Sequence, residues 1–165
     1  MEIVLTVNGR QHQVEVRPSE TLLDLLRRLG YKSVKFGCGE GACGACTVIM
    51  DGRPVNSCLI LAVTADWRKV TTVEALGTVR KPHLLQLAFV ESAAIQCGFC
   101  TPGMILAAKA LLDRNPNPSD EEIKEALDGN LCRCTGYVQI IEAVKLAARR
   151  MRSKKKKHPK TTKAP

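Results

Sequence analysis

Aromatic residues are scarce in this 165-residue chain: three Phe, two Tyr and one Trp, 4% in all. The core must therefore be filled by Leu, Val, Ile and Ala. No apolar run approaches the ~20 residues that a membrane span requires. The opening Met1-Glu2-Ile3-Val4-Leu5-Thr6-Val7-Asn8-Gly9 reads as a strand entering a turn, not as a basic-then-apolar export signal. Arg27-Arg28 and Arg149-Arg150 fall inside helical patterns with no export context. The chain has no nucleotide-binding loop, no catalytic dyad and no substrate-pocket motif. Lys35, Glu40 and the three histidines, His12, His83 and His158, are scattered and read as surface residues. The expected compartment is the cytoplasm, where structural disulfides are rare, so the eight cysteines argue for metal.

Excess charge is also missing from most of the chain, despite a formal net charge of +9. Residues 149–165 hold nine Lys or Arg and no acid, which leaves 16 basic residues elsewhere against all 16 acidic ones. The globular part has no surplus of positive charge with which to bind nucleic acid. The tail, residues 153–165 with Lys154–Lys157 and two prolines, reads as a disordered, solvated terminus. Contact with an acidic partner or RNA is the sharper reading, and nothing in the sequence raises it.

The length fits one large domain or two small ones. Residues 3–7 and 12–17 alternate around Asn8-Gly9, a strong hairpin signal. Pro18-Ser19-Glu20-Thr21 opens a helix with Leu22, Leu25, Leu26 and Leu29 at helical spacing and Gly30 at its C-terminal cap. Residues 35–45 carry four glycines (Gly37, Gly39, Gly41, Gly44) and form a loop with unusual backbone angles. Thr47–Met50, the turn Asp51-Gly52 and Arg53–Leu61 make a strand–turn–strand unit, and Val70–Val73 a further strand. From about Pro82 the period becomes helical, first over Leu84–Ala93 and then over Met104–Leu112, which Asn115-Pro116-Asn117-Pro118 ends. Ser119 and Glu122 form a capping box for Asp120–Leu127, and Val138–Met151 makes a fourth helix. The expected domains are 1–76, 77–152 and the tail 153–165, an α+β fold.

The cysteines fall into two sets. Cys38, Cys43, Cys46 and Cys58 show the spacing of plant-type ferredoxins, a four-thiolate 2Fe-2S site. The anionic cluster needs many inward N–H donors, which a glycine-rich loop supplies; a zinc ribbon is the bland alternative. Cys58 is expected on the strand after Asp51-Gly52. The second set, Cys97, Cys100, Cys132 and Cys134, is less diagnostic, since spacing alone allows zinc. Its pairs read as two helix starts, Thr101 as N-cap with Pro102 at the first helical position, and helix N-termini favour an anionic cluster.

Three stretches carry a specific resemblance: Gly37-Cys38-Gly39-Glu40-Gly41-Ala42-Cys43-Gly44-Ala45-Cys46-Thr47-Val48, Gln96-Cys97-Gly98-Phe99-Cys100-Thr101-Pro102-Gly103 and Asn130-Leu131-Cys132-Arg133-Cys134-Thr135-Gly136-Tyr137. Together they resemble the iron–sulfur small subunit of molybdenum hydroxylases, the xanthine dehydrogenase, aldehyde oxidoreductase and carbon monoxide dehydrogenase family. The resemblance covers roughly Ile3–Arg150 and all eight ligands. It implies an N-terminal plant-type ferredoxin-like (β-grasp) domain and a C-terminal four-helix bundle, each holding one 2Fe-2S cluster. It further implies a large subunit carrying molybdopterin, an FAD-binding medium subunit and a dimer of heterotrimers. Electrons would pass from molybdopterin through the two clusters to FAD, with Gln96 and Cys134 approaching the pterin. Without the resemblance, Gln96 reads as a polar residue capping a helix junction. A free-standing electron carrier is the alternative function, and a zinc-stabilised interaction module a third.

Overall fold

The computed structural model describes residues 1–157 and divides them into a sheet half and a helical half. Strand β1 (Glu2–Val7) turns at Asn8-Gly9, both at positive φ, and pairs antiparallel with β2 (Arg10–Glu15). Ile3, Leu5 and Val7 alternate inward on β1, whereas β2 is polar and only half covered, as befits an edge strand. Helix α1 (Leu22–Arg28) follows, capped by the Thr21 side chain, which accepts from the Asp24 amide. Gly30, at φ +97°, ends it.

Strands β3 (Thr47–Met50) and β4 (Arg53–Asn56) form a second hairpin, and β5 (Lys69–Thr71) lies parallel to β1 and antiparallel to β3. The sheet order is β2-β1-β5-β3-β4. Leu22, Leu23, Leu25 and Leu26 of α1 join Ile3, Leu5, Val7, Val48 and Val70 in one core. Each such leucine, fully withdrawn from water, contributes about 1.5–3 kcal/mol.

The helical half contains α2 (Leu84–Glu91), α3 (Thr101–Arg114), α4 (Asp120–Leu127) and α5 (Val138–Lys157). Its separate core gathers Leu85, Phe89, Met104, Leu111, Ile123, Leu127, Ile140 and Val144. Phe89 is the one aromatic side chain in either core that is fully buried, consistent with the low aromatic content. Helix α3 is buried nearly all round because it is sandwiched, with α2 and α4 on one side and β3 and β4 on the other. The segment between the halves is tied down at both ends. Asn8 exchanges two hydrogen bonds with Thr72, Glu74 accepts from Ser33, and Val73 and Leu76 pack on the helical core.

Several boundaries differ from the sequence reading. The strand expected over Arg53–Leu61 stops at Asn56, and Ser57–Leu59 is a 3₁₀ turn. Ala93 lies beyond the end of α2 at φ +51°. The expected helix Val138–Met151 continues to Lys157, because lysines are good helix formers and nothing in the sequence breaks the pattern before Pro159. Residues 158–165, most of the expected disordered tail and including His158, lie outside the described residues. No described helix is long and apolar enough to cross a membrane.

Candidate metal centres

The first cysteine set is built by the loop between α1 and β3 and by the turn after β4. Gly39, Gly41 and Gly44 all have positive φ, so the chain curls back on itself. The curl is tight: a Cβ on Gly37 would stand 2.8 Å from Cys43 Sγ. Asn56 holds the loop from the sheet side, its Nδ2 donating to Gly41 O at 2.8 Å. Amides point at the thiols as the anion argument requires. Glu40 N donates to Cys38 Sγ at 3.5 Å. That bond, with others from Cys43 and the Ala42 amide, draws the Cys38 thiol down to about 7. Cys58 sits deeper; burial, then its contact with Cys46, pushes it up to about 11.

The second set forms where the N-terminus of α3 meets the loop before α5. Cys100 is the N-cap residue of α3, one position earlier than expected, with Thr101 and Pro102 in the first turn. Cys132 and Cys134 do not start a helix, contrary to the sequence reading; they lie in the loop 128–137. Gly136 and Tyr137, at φ +64° and +70°, keep the chain non-helical until Val138. The loop still offers donors: Thr135 N and Oγ1 donate to Cys132 Sγ at 3.5 and 3.2 Å, and Tyr137 Oη accepts from Cys132 N at 2.9 Å. Burial works to raise the Cys132 thiol, but the Thr135 hydroxyl and amide outweigh it and bring the thiol down to about 7. Burial pushes Cys100 up to about 12.

Within each set the thiols fall into two facing pairs. Cys97 and Cys134 stand 3.7 Å apart between sulfurs, while Cys38 interacts most with Cys43, Cys58 with Cys46 and Cys100 with Cys132. None of the eight is in a disulfide. One tetrahedral zinc would need all four thiols about one point, whereas two irons bridged by sulfide need two thiolates each. The donor set, its pairing and the inward amides fit a 2Fe-2S cluster in each half.

Gln96 and Cys134 are brought together: Gln96 Nε2 donates to Cys134 O at 3.1 Å, and both residues are exposed. The sequence reading of the other polar residues needs amending. His83 is not a free surface residue, because its Nδ1 accepts from Leu85 N to cap α2. His12 is half-buried against Tyr31 Oη at 2.9 Å. Among the described residues a cleft of about 770 Å³ between the β3–β4 turn and α3 contains no cysteine or histidine. Asn130 opens the third resembling stretch, but no spacing signal shows that its side chain links the two cysteine loops.

Known proteins carry the same two halves. Residues 5–69 match a 2Fe-2S iron-sulfur cluster binding domain and residues 72–145 a 2Fe-2S binding domain. The chain is 55% identical over 149 residues to the nicotinate dehydrogenase small FeS subunit of Eubacterium barkeri, covering 90% of this chain and 95% of that one. The crystal structure of quinoline 2-oxidoreductase from Pseudomonas putida superposes with a TM-score of 0.88 at 44% identity, over 93% of this chain and 96% of that chain. The aldehyde oxidoreductase of Desulfovibrio desulfuricans gives 0.89 at 46% identity, with 92% of this chain matching 17% of a much longer one.

The fold is thus a ferredoxin-like 2Fe-2S domain followed by a helical 2Fe-2S domain. The chain belongs to the iron–sulfur small-subunit family of the molybdenum hydroxylases and is an electron-transfer subunit of an oxidoreductase complex. In aldehyde oxidoreductase and in the xanthine dehydrogenase of Emericella nidulans the same module is one part of a much longer chain.

Proposed function

We propose that Cys38 with Cys43, and Cys46 with Cys58, hold the two irons of one cluster. Cys97 with Cys134, and Cys100 with Cys132, hold those of the other. The observation that carries this is the pairing of the eight thiols. Bound clusters supply one-electron relay between a molybdopterin centre on the large subunit and FAD on a medium subunit. This chain's residues set the thiols in place and aim amide and hydroxyl donors at them.

Gln96 and Cys134 form the face turned to the pterin. The reading is supported by their shared exposure and by the carboxamide, which can both donate and accept. The ferredoxin-like set then serves the flavin side. We place the domain boundary between residues 76 and 77, where the 3₁₀ turn Val73–Ala75 ends, and the end of the second domain at residue 152. We read the second domain as a four-helix bundle, on the packing of α2 against α5 and of α3 against α4. The assembly is a cytoplasmic dimer of heterotrimers. Substrate choice belongs to the large subunit, because chains of this kind serve complexes named for nicotinate, quinoline and aldehyde alike.

Iron and acid-labile sulfide analysis tests the assignment. Four of each per chain are expected from two 2Fe-2S sites; two irons with one zinc would overturn the reading of the helical set.

A further inference from the structure

The two cysteine sets are held by separate cores, yet their loops meet at one buried point. Asn130 is 5% exposed, and its Nδ2 donates to Gly44 O at 2.9 Å and to Thr47 Oγ1 at 3.1 Å. Thr47 Oγ1 in turn donates to Gly44 O at 2.7 Å, which closes a three-membered network across 83 and 86 residues of sequence. The contact leaves no room for side chains. A Cβ on Gly44, already at φ +65°, would stand 2.3 Å from Gly129 O. One on Gly103 would stand 2.4 Å from Gly44 O. Gly44 follows Cys43 directly, Gly103 is three residues after Cys100, and Asn130 is two residues before Cys132. Three backbone points, each within three residues of a proposed ligand, therefore touch.

We propose that Asn130 is a positioning residue that fixes the separation of the two clusters, with Gly44 and Gly103 as the surfaces against which it sets them. This rests on the assignment of one cluster to each cysteine set. The two cores share no buried residue and α3 packs on β3 and β4 between them, so the fine setting of the cysteine loops is left to the loops' own contacts. A buried carboxamide with both N–H groups satisfied resists displacement of one loop against the other, because such a shift leaves buried donors without acceptors. Asn56 holds the loop from inside the ferredoxin-like half: it donates to Gly41 O at 2.8 Å, and its Oδ1 accepts only a long 3.4 Å contact from Thr47 Oγ1.

The test uses the purified complex, reduced so that both clusters are paramagnetic, with the magnetic splitting between them read by electron paramagnetic resonance. Asn130→Asp keeps the shape but sets a carboxylate against Gly44 O. The expected result is four irons per chain with the splitting diminished or lost and transfer between clusters slowed. Asn56→Ser should alter the signal of the ferredoxin-like cluster but keep the splitting. Gly103→Ala, which must push Gly44 away, should reproduce the loss. If Asn130→Asp sheds iron, Gly103→Ala decides by the same readout. Four irons with unchanged splitting in both variants would overturn the inference alone, whereas a wild-type chain without four irons would contradict the cluster assignment beneath it.

Discussion

The amide of Leu131 donates to the carbonyl of Cys43 at 2.9 Å, so one hydrogen bond joins the backbone of a proposed ligand in the first set to the residue before Cys132 in the second. The two sets belong to different domains with different cores, and the join is local and rigid. It gives the proposed relay a short continuous path.

Each cluster should be removable alone. Cys58 is buried in the sheet domain, whose core shares no buried residue with that of the helical domain. Cys58→Ser is expected to lower iron from four to two per chain and to abolish the ferredoxin-like signal, leaving the helical signal in place. Iron analysis with electron paramagnetic resonance checks this.

Gln96→Ala should keep all iron, since the side chain bonds Cys134 O and no sulfur. Pterin retention should fall, or reduction of the helical cluster by substrate should slow. Cofactor analysis of the purified complex and single-turnover spectroscopy read the two effects separately.

Much of this arrangement was legible in the sequence because its signals are short-range. The capping box of Ser119 and Glu122 fixes the start of α4, Asn8-Gly9 fixes the first hairpin, and the glycines among Cys38, Cys43 and Cys46 announce a curled loop. Misreadings arose where a neighbour decides the backbone. Cys58 leaves the strand because Ser57 turns inward to bond Cys46 O, and a 3₁₀ turn follows. Cys132 and Cys134 stay in a loop because Thr135 and Tyr137 bond back to Cys132. The Cys97–Cys134 approach and the Asn130 contact span 37 residues and 83 to 86 residues, so no spacing rule could reveal them.

Glu20 should make acid stability measurable at one site. Burial works against its charge, but the Arg28 guanidinium, at 2.9 Å, and the Arg17 amide more than offset this. The carboxyl is held below its ordinary 4.5. A depressed folded-state value stabilises the protein above the unfolded value, and the gain is lost as pH falls through the folded one. Glu20→Gln should cost about 1–3 kcal/mol at neutral pH. The gap from wild type should close below the ordinary carboxylate range, as followed by denaturant unfolding across pH.

Truncation after Arg152 should leave both clusters intact. Ser153 bonds only Arg149 O of its own helix, while the ties that dock α5, Arg150 to Glu91 and Arg152 to Pro116 O, lie before the cut. Unchanged iron content and subunit assembly are expected; loss of either would give the basic end a structural role.

The order of reduction tests the central claim most directly. The assembled complex is mixed rapidly with substrate and frozen at intervals, and the two cluster signals are resolved by electron paramagnetic resonance. The account predicts that the signal removed by Cys100→Ser, in the helical set beside Gln96, appears first. The signal removed by Cys58→Ser should follow. Reduction of the ferredoxin-like cluster first, with the helical cluster lagging, would contradict it.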